Sequence, residues 1–392
     1  MKSGAYGRDH CGYEAGVVKQ VTPTGCSDLR GWIASLSAAG RLKHITEPVD
    51  WRLDLARRAV LEKQPVLFEQ IHGYPGHRLM TNGLCDAQTI ALALGMSPDT
   101  DRTAMTREAR HRLSHPIQPQ VVEDAPFLEN RVEGSQLSLF DLPVPQWNPI
   151  EAGRYIGTWH LNITHDPETG RRNVGVYRMQ ILGPDTATVS TSAHSHLGRH
   201  MARAEQFGRP LPMAVVIGAP EAAVIAAAAG LPEGVDELDV AGGLLGEPLE
   251  VVTLPGVQMQ APAASELVLE GEIEPHVRVS DGPYFDYTGM PNTNPSAYLF
   301  HVRRLWFRNQ PIFRGTAVGH PGAEDHQLFA FLAELGLVDF HGSRLKRLAQ
   351  NQLLKFHAFR SFQIAGSLGS YLRPFQAKEL ALTNSESHDT KV

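Results

Sequence analysis

From about Leu137 to Leu305 the chain runs as short apolar segments separated by turns built from Gly, Pro, Asn and Asp, and this pattern limits the fold more than any other feature. Apolar segments too short for a core helix and bounded by turn residues are the mark of strands. Strands are expected over 155–163, 173–181, 213–217, 249–253, 267–273 and 296–304. Their backbone groups need partners, so the middle of the chain should form sheets. Helices are expected within it near 197–207 and over 221–229. The most apolar stretch, 213–231, is interrupted by Gly218, Pro220 and Glu221, which reads as a buried strand followed by a helix. No apolar run approaches the roughly 18 residues that a membrane span needs.

The flanks follow another pattern. Behind Ser27 and Asp28, the apolar residues Leu29, Trp32, Ile33 and Leu36 recur at helical spacing, which predicts a capped amphipathic helix ended by Gly40. Short strands over 41–45 and 65–68 and helices over 53–62 and 87–94 make this a small α/β unit, and Pro116, Pro119 and Pro126 mark a linker after it. Beyond a Gly, His and Pro segment at 315–322, helices are expected over 327–335 and 343–356. The fold class is therefore α+β. It comprises a flexible leader (1–26), an N-terminal α/β domain (27–120), a central strand-rich domain (121–320) and a helical C-terminal region (321–392).

Composition excludes several functions. The three cysteines, Cys11, Cys26 and Cys85, form no CxxC pair, so neither a disulfide framework nor a zinc-thiolate site is supported, and a reducing cytoplasm is the expected compartment. The first residues carry charges and no apolar core of a secretory signal. A net charge of −6 with scattered basic residues gives no footprint for nucleic acid. The expected partner is a small molecule.

Four segments could carry chemistry. Asn173 to Arg178 forms a predicted strand whose alternation sets Asn173, Gly175 and Tyr177 on one face and Val174, Val176 and Arg178 on the other. Taken alone, Arg178 also suits a surface ion pair. His194, His196 and His200 cluster at a helix start, where imidazoles either bind metal or simply cap and meet solvent. Glu233, Asp236, Glu237 and Asp239 lie in an acidic loop ahead of a Gly-rich turn at 242–246, which is either solvated or an oxygen-ligand donor. Asp281 and Asp286 bracket a Gly-Pro turn beside aromatic residues, and desolvation by aromatic neighbours is one way to make a carboxyl a proton donor.

In this order the four segments resemble the UbiD-like decarboxylases. That family combines an N-x-x-x-x-R strand, a downstream His, an acidic loop before a Gly-rich turn, and an acid-Gly-Pro-aromatic-x-acid segment. The resemblance extends to Asp28-Leu29-Arg30, the 67–76 segment, 91–95 and 264–271, and covers about residues 27–335. It implies a central split β-barrel that binds prenylated FMN. Asn173, His196 and Glu237 would hold a divalent ion, usually manganese, with potassium nearby. Val176, Tyr177, Arg178, Ser190, Thr191, Ser192 and Ser195 would line the flavin. Arg178 would bind the substrate carboxylate, Asp281 would hold Arg178, and Asp286 would return a proton.

The implied reaction is the non-oxidative, reversible decarboxylation of an α,β-unsaturated, aromatic or heteroaromatic acid. A flavin prenyltransferase would supply the cofactor, and the protein would form a homodimer or higher homo-oligomer. Asp281 stands where the family more often has Glu, and the region after Leu335 is shorter than is usual. An FMN-dependent redox protein on the same core is an alternative, although no G-x-G-x-x-G follows a strand; a non-catalytic partner subunit is another. Tyr284, Met290, Phe329 and Phe331 are candidate pocket walls.

Overall fold

The computed structural model describes residues 27–320 and 322–337. The expected leader and the expected helix over 343–356 lie outside these residues. Near the N-terminus, Asp28 accepts a hydrogen bond from Gly31 N (2.6 Å) and starts helix Leu29–Ala38, which buries Leu29, Trp32, Ile33 and Leu36. Strands Lys43–Ile45, Val66–Phe68 and Arg78–Thr81 form a sheet that Ile312–Arg314 completes by pairing parallel to Arg78–Thr81. A segment more than 200 residues downstream thus closes the N-terminal sheet. Helix Arg102–Leu113 was not expected: only Met105 and Ala109 are buried in it, so it shows almost no apolar period.

The expected linker is corrected by the structure. Strand Gln120–Val122 pairs parallel to Glu250–Thr253, and Ile117 N donates to Asp239 O (2.9 Å). Three residues are too few to show a strand period.

The central sheet runs in the order Thr186–Val189, Pro291–Phe307, Leu267–Phe285, Leu211–Ile217, His160–His165, Arg172–Gly175, with Asn130–Glu133 on the far end of Pro291–Phe307. Alternation along Leu211–Ile217 sends Met213, Val215 and Ile217 into one apolar core and Ala214 and Val216 into the other. This strand is buried on both faces, which accounts for its unbroken apolar sequence. Helix His196–Gln206 covers one face with Leu197, Met201 and Ala204, while Glu221–Ala228 and Glu237–Leu245 cover the opposite one.

The two longest strands depart furthest from expectation. Leu267–Phe285 contains the whole Asp281-Gly282-Pro283 segment that was expected to be a turn, and its pairing with Pro291–Phe307 shifts register at four places between Glu270 and Tyr284. Such irregularities bend a strand and increase its twist. Gly282, at φ +107°, lies where an added Cβ would meet Asn292 O at 2.7 Å, so only glycine lets the two strands come this close. The expected strand 155–163 is also divided: Tyr155–Gly157 pairs with Met179–Gln180, and His160–His165 joins the central sheet.

Candidate active site

Strand Arg172–Gly175 is one edge of the central sheet and Thr186–Val189 is the other. Between these edges the chain leaves the central ladder at residues 176–178, pairs at Met179–Gln180 with Tyr155–Gly157 in a separate two-stranded sheet, and bridges from Ile181 to Ala187. The expected strand 173–181 is thus broken. A Cβ on Gly175 would lie 2.7 Å from the Tyr177 ring, and Tyr177 N donates to the side-chain Oδ1 of Asn162 on the neighbouring strand (3.0 Å) rather than to a backbone carbonyl. Alternation therefore does not carry across the break. Asn173, Val176, Tyr177 and Arg178 line one cavity of about 610 Å³ instead of dividing between two faces.

Arg178 is held from beneath. Its Nε donates to Asp281 Oδ1 (2.6 Å), and the other Asp281 oxygen accepts from Thr188 Oγ1 (2.6 Å). Asp281 has no exposed surface, so a charged carboxylate there needs both partners. The guanidinium carbon lies 5.0 Å from the centre of the Tyr284 ring, which stacks against Tyr155. Asn292, opposite Tyr284 in the hairpin, joins the two ends of the site: its Oδ1 accepts from Arg178 Nη2 (3.5 Å) and its Nδ2 donates to Asp286 Oδ2 (3.0 Å). The remaining oxygen of Asp286 accepts from Thr288 N (2.8 Å) and from the Thr288 hydroxyl. Gly319, at φ +84°, packs so closely that a Cβ there would sit 2.1 Å from Asp286 O.

Asn173, His196 and Glu237 each line both this cavity and a second, smaller one. The expected acidic loop and Gly-rich turn are corrected to helix Glu237–Leu245, which Asp236 caps by accepting from Leu238 N (2.9 Å). Gly242 and Gly243 lie inside that helix because the backbone of Ile117 and of Arg112 to Pro116 presses against them. Glu237 accepts from Val174 N (3.0 Å), and no salt bridge joins it to a described cation. Burial pushes its carboxyl up to about 7. Burial first, and then Arg199, holds His196 below the usual imidazole range, in the neutral form that can ligate.

Asn173 has a buried Nδ2 without a partner. Among the described residues no three His, Cys, Asp or Glu side chains converge as a metal site. A set of one amide, one imidazole and one carboxylate does not call for such a cluster. These three donors, with the Glu237 carboxylate buried and in no salt bridge among the described residues, suit a divalent ion with open positions.

Ser190, Ser195 and His194 also line the cavity, whereas Thr191 and Ser192 hold Ser195 in place. Ser195 Oγ accepts from Thr191 Oγ1 (2.8 Å) and Gly198 N (2.9 Å) and donates to Ser192 O (2.8 Å). His200 points to Thr164 instead (2.9 Å). Tyr284 and Phe329 form walls as expected, but Phe331 is wholly buried in the core and Met290 is 59% exposed away from the cavity. Sequence reasoning missed Asn292, Arg199 and Asp325. No motif marks them, because the hairpin and the helix packing bring them in.

A family model described as the 3-octaprenyl-4-hydroxybenzoate carboxy-lyase Rift-related domain matches residues 120–321, and one for the N-terminal domain of the same enzymes matches residues 33–108. A phenolic acid decarboxylase of Streptomyces sp. is 32% identical over 76% of this chain and 65% of its own length. A pyrrole-2-carboxylic acid decarboxylase of Pseudomonas aeruginosa is 33% identical over 80% of this chain and 66% of its own length. The chain thus spans just under two thirds of these curated relatives. Among solved structures, an evolved dimeric form of the UbiD-class enzyme HmfF from Pelotomaculum thermopropionicum, in complex with prFMN, has a TM-score of 0.72 at 30% identity, covering 79% of this chain and 71% of that one.

Proposed function

The chain belongs to the UbiD family of carboxy-lyases, and on that premise we propose that it catalyses the non-oxidative, reversible decarboxylation of an aromatic, heteroaromatic or α,β-unsaturated carboxylic acid with prenylated FMN. The observation that carries this reading is the hydrogen-bonded set of Asp281, Arg178, Asn292 and Asp286, the last three of which line the same cavity as Asn173, His196 and Glu237. Its relatives named as decarboxylases favour a lyase over a redox protein.

Arg178 presents a planar set of donors that matches a carboxylate, and its pairing with buried Asp281 fixes the fork before substrate arrives. The Tyr284 ring, 5.0 Å from the guanidinium carbon, adds a cation–π contact that helps to hold the fork. As carbon dioxide leaves, the carbon that bore it must gain a proton, and on this reading Asp286, linked to Arg178 through Asn292, is the acid that gives it. Asn292 and Thr288 hold both oxygens of Asp286, so the proton is delivered from a fixed position. Prenylated FMN, when bound, would supply the electron sink that carbon–carbon cleavage requires. Asn173, His196 and Glu237 would hold a divalent ion, manganese first, which would supply positive charge for an anionic cofactor.

The test is to produce the protein in cells that also make a flavin prenyltransferase, with manganese and potassium salts supplied. Mass spectrometry of the purified protein should then find prenylated FMN. A well-folded protein that carries no flavin under those conditions contradicts the proposal.

A further inference from the structure

The break that presents Arg178 begins where the edge strand parts from its neighbour. Strand Arg172–Gly175 pairs antiparallel with His160–His165, and the last pair is Gly175 with Asn162. Continued register would set Tyr177 opposite His160, two residues further along. Instead the Asn162 side chain enters the gap. Its Oδ1 accepts from Tyr177 N (3.0 Å), and its Nδ2 donates to the thioether of Met179 (3.2 Å) and more weakly to that of Met213 (3.6 Å). One amide thus grips the residues on both sides of Arg178. The imidazole of His160 lies against the same groups: burial pushes it down to about 4, opposed by the polar groups of Asn162 and of the Tyr177 backbone.

Asn162 has no exposed surface, and its strand neighbours Leu161 and Ile163 and its cross-strand partner Val215 belong to the apolar cores. A polar side chain in such a place is costly unless its polar atoms are paired. An apolar residue of the same shape would fill the space without that demand, so packing does not call for an amide here. The break does, because a backbone N–H that leaves its ladder needs another acceptor. A side-chain carbonyl reaches further from its strand than a backbone carbonyl does. The segment it holds therefore stands off from the sheet, and residues 176–178 come to the cavity wall.

We propose that Asn162 is a positioning residue: its side-chain amide replaces a rung of the sheet and fixes the offset at which Arg178 meets the substrate carboxylate. This rests on the decarboxylase reading and adds to it a residue that does not itself line the cavity. Asp281 sets the direction of the guanidinium, and Asn162 sets where its backbone stands. Without the amide, Tyr177 N loses its acceptor and the segment its fixed place. Misplacement of this kind predicts a loss of about 10–100-fold in kcat/KM.

The test compares Asn162→Leu, which fills the space without an acceptor, with Asn162→Asp, which keeps Oδ1. Hydrogen–deuterium exchange read by mass spectrometry should show the amides of residues 176–179 exchanging about 10-fold faster in Asn162→Leu and at the original rate in Asn162→Asp, with the rest of the sheet unchanged in both. Flavin-loaded Asn162→Leu should lose about 10–100-fold in kcat/KM for pyrrole-2-carboxylate or 4-hydroxybenzoate, mostly through KM, because Arg178 holds the carboxylate before and during reaction. Asn162→Asp should recover to within about 3-fold. If Asn162→Leu does not fold, Asn162→Ser, whose hydroxyl is too short to reach Tyr177 N, takes its place under the same criteria. Exchange at 176–179 that is unchanged, or faster throughout the sheet alike, overturns the assignment. So does an undiminished kcat/KM in the variant without the acceptor, or a loss that Asn162→Asp fails to restore. An unaltered protein that turns over no acid contradicts the decarboxylase reading instead, and exchange then decides Asn162 alone.

Discussion

Asp281 has no exposed surface and touches both Arg178 and Thr188, so its removal leaves a cation and a hydroxyl without partners. Asp281→Ala is expected to cost about 3–5 kcal/mol of stability, as breaking a buried pair does, and to abolish turnover. Chemical denaturation with activity measured in parallel checks this, and a fully stable, fully active variant would contradict it. Glu151 gives a pH-dependent counterpart. It is buried and accepts from Trp147 N (3.0 Å) and Asn148 N (3.1 Å), and burial pushes its carboxyl up to about 8. The folded form keeps a proton that the unfolded chain gives up near its ordinary value of about 4.3. Glu151 should therefore contribute stability that is fully present below that value and is lost as pH rises toward 8, on the order of 2–4 kcal/mol. Glu151→Gln should flatten the decline in denaturation midpoints measured from pH 5 to 8. At this scale residue type alone left Arg178, Asp286 and Glu237 open between surface and site; the resemblance of their segments made them candidates, and the structure brings all three to one cavity. The sequence was silent on Asn292, whose place between Arg178 and Asp286 depends on the hairpin.

Helix Glu324–Leu335 shows how an element depends on distant chain. Glu324 accepts from Asn82 N (2.9 Å) and Leu84 N (3.1 Å) and from both Nη groups of Arg314, whose Nε donates to Glu221 (2.8 Å). These groups are almost wholly buried, so the helix is pinned to the N-terminal sheet and to helix Glu221–Ala228 at once. Glu324→Ala should destabilise the protein by about 3–5 kcal/mol, and it should weaken binding of acids in the cavity because Asp325, Leu328 and Phe329 ride on the same helix. Denaturation and calorimetry test the two effects. Strands with a strong apolar run, such as Leu211–Ile217, were legible because burial on both faces leaves a continuous signal. The break at 176–178 and the helix Glu237–Leu245 were not. The first is set by where the sheet edges fall and the second by the backbone packed against Gly242 and Gly243, and neither leaves a local period.

On the scale of the molecule, the cavity lies where the central sheet stays open between Arg172–Gly175 and Thr186–Val189, closed on one side by a helix that the N-terminal sheet anchors. Among the described residues no helix is long and apolar enough to cross a membrane. On the proposed reaction, Arg178 and Asp286 exchange carbon dioxide for a proton at a ring carbon. Flavin-loaded protein incubated with pyrrole-2-carboxylate or 4-hydroxybenzoate in deuterated buffer, with the products analysed by NMR, tests this exchange. Deuterium is expected at the carbon that carried the carboxylate, and loss of that label in Arg178→Ala. Unchanged acids and no label, from folded protein carrying its flavin, would contradict it.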